Sequence, residues 1–214
     1  MIYTTYYAQT NSITEERYKE LKEAYLSTNT GNLESFHLRK LEFQGAGQRK
    51  AVASYYLCMK NRDESQIFLE KKYMQNGLYF KKCAKLSREE SEKLLNGDLE
   101  WMKNHRKELL ADFYRQATLN SLYPGRITDY RREMCRVKKG EYVTFTTAIG
   151  RGIGPCRSLS EEPEMKIPCL DKGKVRLTYK KRVSLSPMVS SMLQSQRMVE
   201  KKVDYGFIFY NKKR

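Results

Sequence analysis

Residues that build metal centres, disulfides and catalytic triads are scarce in this 214-residue sequence. It has five cysteines and no Cys-x-x-Cys pair, which argues against a disulfide framework and against a zinc ribbon. The two histidines, His37 and His105, lie neither in a His-Glu-x-x-His motif nor in a setting that suits a serine triad. The glycine cluster GRGIG at 150–154 is not followed by Gly-Lys-Ser or Gly-Lys-Thr, so it does not predict a nucleotide-binding P-loop.

Long apolar runs are absent as well. No stretch approaches the roughly 20 apolar residues that a membrane-spanning helix needs. The first residues, MIYTTYYAQTNSI, have neither the basic part nor the apolar part of a signal peptide. From these features we expect no membrane span and a cytoplasmic, reducing location.

Positive charge, by contrast, is in excess. There are 41 Lys and Arg against 25 Asp and Glu, a formal net charge of +16. With 40% hydrophobic residues the chain can still form a core, so the excess predicts a folded protein with an anionic partner. Sixteen tyrosines on a basic chain would suit nucleic acid, but the known RNA- and DNA-binding motifs are missing, and only composition favours such a partner.

Strand-like segments dominate the chain. About eight runs rich in Tyr, Phe, Val and Thr follow one another, most of them joined by short turns. They predict an α+β fold: a mainly antiparallel β-sheet closed into a tunnel-like barrel of about eight strands, with a few flanking helices. We expect residues 1–214 to form a single domain, in which 150–172, with three of the five prolines, is a long surface loop.

Helices are predicted at four places. A capping box of Ser12 and Glu15 precedes one amphipathic run, and Ser87 and Glu90 precede another. A longer amphipathic stretch covers 99–118, and the pair at 186–187, Ser-Pro, begins the last helix.

Adjacent basic residues occur inside several of the predicted strands. Alternation of side chains puts one member of each pair on each face of the sheet. If the sheet closes, its interior is lined with Lys and Arg, and uncompensated charges there require water or an anionic ligand. The alternative is that all of them face solvent, with one of each pair reaching around to it. The pairs are Lys71 and Lys72, Lys81 and Lys82, Arg131 and Arg132, and Lys180 and Lys181.

One central block carries a family resemblance. The run IFLEKKYMQNGLYFKKCAKLSREESEKLLNGDLEWM (67–102) and the later ITDYRREMC (127–135) resemble bacterial polyphosphate polymerase domain proteins. These are relatives of the catalytic domain of the vacuolar transporter chaperone (VTC), in the triphosphate tunnel superfamily. The resemblance implies a basic β-tunnel that binds ATP or polyphosphate and transfers the γ-phosphoryl group of ATP to a polyphosphate chain. It also implies a divalent metal, Mn²⁺ or Mg²⁺.

The resemblance assigns roles to six positions. Lys72, Lys81 and Arg132 are implied as catalytic residues that also bind phosphate. Tyr130 and Lys181 are implied as further phosphate-binding residues, and Glu70, which matches the Glu of the family's Glu-x-Lys pair, is a weak metal-ligand candidate.

The sequence also departs from the family pattern. Where the family has an Arg-x-Arg strand, this chain has Tyr55-Tyr56-Leu57-Cys58, and the strand expected to carry the metal glutamate, 174–182, has no carboxylate. Thr178 or Tyr179 occupies that place. Two functions therefore stay open: a polyphosphate polymerase with several catalytic positions substituted, or a catalytically impaired paralogue that serves as a basic binding module for RNA or an acidic partner.

Overall fold

The computed structural model describes residues 2–28, 33–45, 53–75, 78–138, 141–154 and 158–181. These residues form an α+β fold of nine strands and three α-helices, in which every strand pairing is antiparallel. The strands are β1 (Ile2–Thr14), β2 (Leu33–Gly45), β3 (Ala53–Lys60), β4 (Ile67–Gln75), β5 (Leu78–Leu86), β6 (Leu122–Lys138), β7 (Glu141–Gly152), β8 (Lys166–Pro168) and β9 (Lys174–Lys181). The predicted mainly antiparallel α+β class is confirmed, and the count of nine exceeds the expected eight by the three-residue β8.

Strand order follows from the pairings. Neighbours run β6-β2-β3-β4-β5-β1-β9-β7-β8, and β6 pairs with β7 in addition. Successive pairings therefore lead from β6 around eight strands to β7 and return to β6 through the register that includes Arg132 opposite Thr146. β8 pairs with β7 at the edge of this succession.

Helices cover one side of the sheet. The helix α1 (Glu15–Thr28) packs over β7 and β9, while α2 (Arg88–Leu95) and α3 (Glu108–Asn120) pack over β2 to β5. Their buried apolar side chains form two core clusters, one centred on α3 and one on α1. In the first cluster Phe113 makes edge-on ring contacts with Phe43 and Tyr55. The apolar side chains of the strands thus face the helices, and alternate residues of each strand lie on the opposite face of the sheet.

Local signals place the helix ends with mixed success. The capping box of Ser87 and Glu90 is present at the start of α2. At α1 the predicted cap is wrong, because Ser12 lies within β1 and Thr14 accepts the backbone N–H of Arg17 instead. The predicted helix over 99–118 is two elements, a short 3-10 helix (Glu100–Met102) and α3.

The segment between β7 and β9 is tied down on the helix side of the sheet. Arg39 of β2 is 1% exposed and forms a bidentate ion pair with Asp129 of β6, at 2.8 and 2.9 Å. The same guanidinium donates to the carbonyl oxygens of Leu159 and Glu161, at 2.9 and 3.0 Å. Lys166 adds a 2.6 Å contact to Asp129. The described part of the predicted loop thus has a buried anchor.

Two predicted elements lie outside the described residues, namely the helix that begins at 186–187 and the last strand-like run at 204–211. Within the described part of the chain, the helices are all too short or too polar to cross a bilayer.

Candidate functional site

Four charged side chains from three strands meet on the face of the sheet that the helices leave uncovered. Lys40 comes from β2, Glu70 and Lys72 from β4, and Lys81 from β5. Lys72 stands directly opposite Lys81 in the β4–β5 register, and Lys40 reaches Glu70 across the intervening β3. These four residues are named the Glu70 cluster, and the face that carries them is the Glu70 face.

Glu70 is the centre of the cluster. Its Oε2 atom accepts a hydrogen bond from Lys40 Nζ at 2.5 Å, and its Oε1 atom contacts Lys81 Nζ. Lys72 Nζ lies 4.0 Å from Oε2. Three ammonium groups therefore surround one carboxylate, which leaves the cluster with a surplus of positive charge.

Burial differs strongly among the four side chains. Glu70 and Lys40 are 7% and 11% exposed, whereas Lys81 and Lys72 are 28% and 37% exposed. The inner pair is thus held away from water, and the two outer ammonium groups are in reach of a dissolved anion. Lys40 and Lys72 both lie over the ring of Tyr56, at 5.3 and 5.1 Å from its centroid.

The pKa values reflect this arrangement. Burial raises the pKa of Glu70, but the cations of Lys40, Lys72 and Lys81 reverse the effect and hold it well below its usual range. The nearby Lys40 cation, together with burial, lowers the pKa of Lys72 well below its ordinary value. Burial opposes the charge of Lys81, yet the Glu70 carboxylate leaves its pKa raised. Lys72 is consequently the ammonium group that most lacks a counter-charge.

A second basic group stands on the same face, on β6. The Arg132 guanidinium lies 4.9 Å from the ring centroid of Tyr130, and its Nε atom donates to Thr146 Oγ1 at 3.2 Å. Tyr130 stands opposite Leu38 in the β2–β6 register, and Leu38 is two residues before Lys40 on the same side of β2. The face therefore runs from the Glu70 cluster through Tyr130 to Arg132.

Hydroxyl groups occupy the part of this face where the family resemblance implies a metal glutamate. Thr178 of β9 shares a hydroxyl–hydroxyl hydrogen bond of 3.1 Å with Thr10 of β1, and its carbonyl accepts from Thr144 Oγ1 at 3.0 Å. Tyr179 points to the other side and is buried in the core cluster around α1. Thr178, and not Tyr179, is therefore the residue at that place.

A divalent metal does not fit Glu70. Both of its carboxylate oxygens already contact lysine ammonium groups, and a cation would be repelled by the three positive charges around it. Among the described residues there is also no group of three or more His, Cys, Asp or Glu side chains that could hold a metal ion. The weak metal-ligand interpretation of Glu70 thus finds no support in the geometry.

Alternation of the basic pairs takes the predicted form at β4 and β5. Lys72 and Lys81 contact Glu70, while their neighbours Lys71 and Lys82 turn to the helix side and pair with Asp112 and Glu108 of α3.

At β6, Arg131 is exposed and contacts Ser35, whereas Arg132 stands on the Glu70 face. The backbone of Lys181 ends β9 opposite Tyr7, but the described residues include nothing of its side chain, so its phosphate-binding role stays a prediction.

The most buried cation of the site, Lys40, was missed at the level of sequence. Its signal was available: Arg39 and Lys40 are one more adjacent basic pair inside a predicted strand. They divide between the two faces like the others, because Arg39 joins Asp129 on the helix side and Lys40 joins Glu70. A cleft lined by α2 and residues 158–160 lies away from this site.

Solved structures share the fold at low sequence identity. A protein of Bacillus halodurans named as a candidate adenylate cyclase superposes with a TM-score of 0.57 at 12% identity, over 97% of this chain and 100% of that one. A Hippeastrum protein, named as a candidate adenylyl cyclase with a dominant triphosphatase activity, gives 0.53 at 9% identity, over 89% and 84%. A chain of the Schizosaccharomyces pombe Mediator head module gives 0.50 at 8%, over 90% of both chains. No curated protein matches the chain significantly.

The family model described as "VTC domain" matches residues 25–150, which is more than half of the chain and includes the Glu70 cluster. That match confirms the resemblance of the central block to VTC-domain proteins. The chain belongs to the VTC domain family.

Proposed function

We propose that this protein binds polyphosphate or the triphosphate of a nucleotide on the Glu70 face. The observation that carries the proposal is the grouping of three lysine ammonium groups around a single carboxylate, two of them partly open to solvent. A chain of phosphates carries about one negative charge per phosphate or more, so it supplies the charge that the cluster lacks. The ring of antiparallel strands would act as the tunnel that holds such a chain.

Phosphoryl transfer is the reaction that such a face could assist. It needs mainly positioning of the reacting groups and neutralisation of charge on the transferred phosphoryl group. In this proposal Lys72 and Lys81 hold the phosphate oxygens from one side and Arg132 from the other. Tyr130, whose ring lies against Arg132, orients that guanidinium.

Binding has stronger support than turnover. The family resemblance implies an Arg-x-Arg strand at Tyr55-Tyr56-Leu57-Cys58, of which Tyr56 and Cys58 lie on the Glu70 face, and Thr178 stands where a metal glutamate is implied. Lysine cannot replace the bidentate contacts of arginine to phosphate. We therefore propose a polymerase activity, from ATP to polyphosphate, that is slow compared with complete relatives.

The proposal is tested by calorimetric titration with tripolyphosphate and by a matched pair of lysine variants. Lys81→Met removes an ammonium group of the Glu70 cluster and is expected to weaken binding by about tenfold or more. Lys82→Met makes the same change one residue later, on the helix side, where the partner is Glu108 at 3.3 Å. We expect it to alter affinity by less than about twofold, since its ammonium group lies on the opposite side of the sheet from the ligand and its charge is offset by Glu108. Equal effects of the two variants, or no binding by the wild type, would refute the proposal.

Turnover is measured separately. Incubation with ATP and Mn²⁺, followed by gel separation of the products, shows whether polyphosphate forms. Synthesis that survives in Arg132→Met at the wild-type rate would exclude the assigned role of Arg132.

A second candidate is a non-enzymatic basic module for RNA or an acidic protein. The lack of arginine in Tyr55-Tyr56-Leu57-Cys58 favours it, because the face then has fewer phosphate contacts and the ring of Tyr56 lies among the lysines. Salt-sensitive RNA binding that tripolyphosphate does not displace would favour this function over the first.

A further inference from the structure

Glu70 is a carboxylate at the centre of a site whose surplus of positive charge attracts anions. Its two oxygens are bound by Lys40 and Lys81, and Lys72 is close by. A residue in that setting repels an incoming phosphate and at the same time cannot serve a metal ion. Its presence therefore needs an explanation other than metal binding.

We propose that Glu70 is a built-in counter-ion, so that this protein binds polyphosphate without a divalent metal and Glu70 limits the affinity. This inference rests on the proposed function and concerns how the same site works. Lys40 keeps Glu70 in place, and the more exposed Lys72 and Lys81 turn from the carboxylate to the phosphate when the ligand arrives.

The difference in burial supports this division of labour. Lys40 and Glu70 form a 2.5 Å hydrogen bond in which both partners are buried. If either side chain moved away, the other would be left as a buried charge without a partner. Lys72 lies 4.0 Å from the carboxylate, beyond hydrogen-bonding distance, and is 37% exposed. It can therefore reorient at little cost.

The surrounding groups explain why the counter-ion is needed. Lys40 and Lys72 share the ring of Tyr56, with which they make cation–π contacts. Without a negative charge between them, Lys40, Lys72 and Lys81 would repel one another in a partly dehydrated place. Glu70 offsets that repulsion in the free protein. A phosphate chain offsets it in the complex, which makes a metal ion unnecessary for neutralisation.

The experiment compares tripolyphosphate binding in EDTA and in Mn²⁺, corrected for the complex that Mn²⁺ forms with free tripolyphosphate. We expect wild-type affinities within about threefold of each other, since ammonium groups and not a metal supply the charge. Glu70→Gln is expected to bind tripolyphosphate about tenfold more tightly in EDTA, since one repelling charge is removed.

Glu108→Gln is the matched control. Glu108 is a carboxylate of α3, on the helix side of the sheet, and pairs with Lys82 at 3.3 Å. We expect its affinity to stay within about twofold of wild type. If Glu70→Gln fails to fold, as judged by circular dichroism, the comparison of EDTA and Mn²⁺ on the wild type decides alone.

The outcomes separate the two proposals. Absence of tripolyphosphate binding in both buffers would refute the proposed function. Binding that occurs only with Mn²⁺, or that Glu70→Gln weakens, would overturn the counter-ion inference and leave the proposed function standing. Metal-independent binding that Glu70→Gln strengthens and Glu108→Gln does not would support both.

Discussion

Replacement of Lys40 by methionine tests the buried ion pair at the centre of the site. Lys40 donates to Glu70 at 2.5 Å, and the two side chains are 11% and 7% exposed. Removal of one partner from a buried pair ordinarily costs about 3–5 kcal/mol in the free energy of unfolding, because the other charge stays buried without compensation. Here Lys81 still contacts the second carboxylate oxygen, so we expect a smaller loss of about 2–3 kcal/mol.

The chain offers a matched control at the same distance. Lys60 donates to Glu34, also at 2.5 Å, but the two side chains are 33% and 47% exposed. Lys60→Met is expected to change the free energy of unfolding by less than about 1 kcal/mol, since water solvates both charges in the absence of the pair. The comparison isolates burial, because residue type and distance are the same.

Urea denaturation followed by circular dichroism measures both effects, and a double-mutant cycle with Glu70→Gln measures the coupling between Lys40 and Glu70. We expect Lys40→Met to be less harmful in the Glu70→Gln background, because no unpaired carboxylate is left. A loss for Lys40→Met no greater than that for Lys60→Met, together with zero coupling in the cycle, would refute the reasoning.

Three further predictions concern other parts of the molecule. Arg39→Met should lower the free energy of unfolding by about 3–5 kcal/mol in urea, because Asp129 loses both bidentate contacts, and it should speed amide hydrogen exchange in 158–168. Phe113→Ala, at a side chain 1% exposed, should cost about 3–5 kcal/mol by the same assay through the cavity it leaves. The pKa of Lys72 is lowered in the free protein, and a bound anion raises it, so binding should take up protons at pH values between the pKa of free and of bound Lys72. Calorimetry in buffers of different ionisation enthalpy should detect this uptake, and Lys72→Met should abolish it. A proton release, or an uptake unchanged in Lys72→Met, would contradict the last prediction.

Local sequence signals were sufficient for several elements of the fold. The capping box at Ser87 specifies the start of α2 because its two hydrogen bonds form between neighbouring residues. The same kind of signal misled at Ser12, where β1 continues to Thr14 because pairing with β9 extends to that residue. Strand pairing is a contact between distant parts of the chain, and no local motif encodes its end.

The site was predictable in part for a similar reason. Strand alternation and the family resemblance together predict Lys72, Lys81 and Arg132 on one face, and the structure places them there. The role of Lys40 was missed because its side chain reaches Glu70 across β3, and this contact cannot be deduced from the spacing of residues along the chain. The choice between Thr178 and Tyr179 likewise needed the register of β9 against β1 and β7.

The excess of positive charge, the antiparallel α+β class, the family and the alternation of basic pairs can all be read from the sequence, because these properties depend on composition and on near neighbours. The role of Glu70 depends on tertiary contacts. In the sequence it is a glutamate at a position that suggests a metal ligand. In the fold, three strands bring Lys40, Lys72 and Lys81 around it, so its carboxylate is paired with lysine ammonium groups instead. Such a change of role arises because the charge environment of a buried group is set by residues far away in the chain.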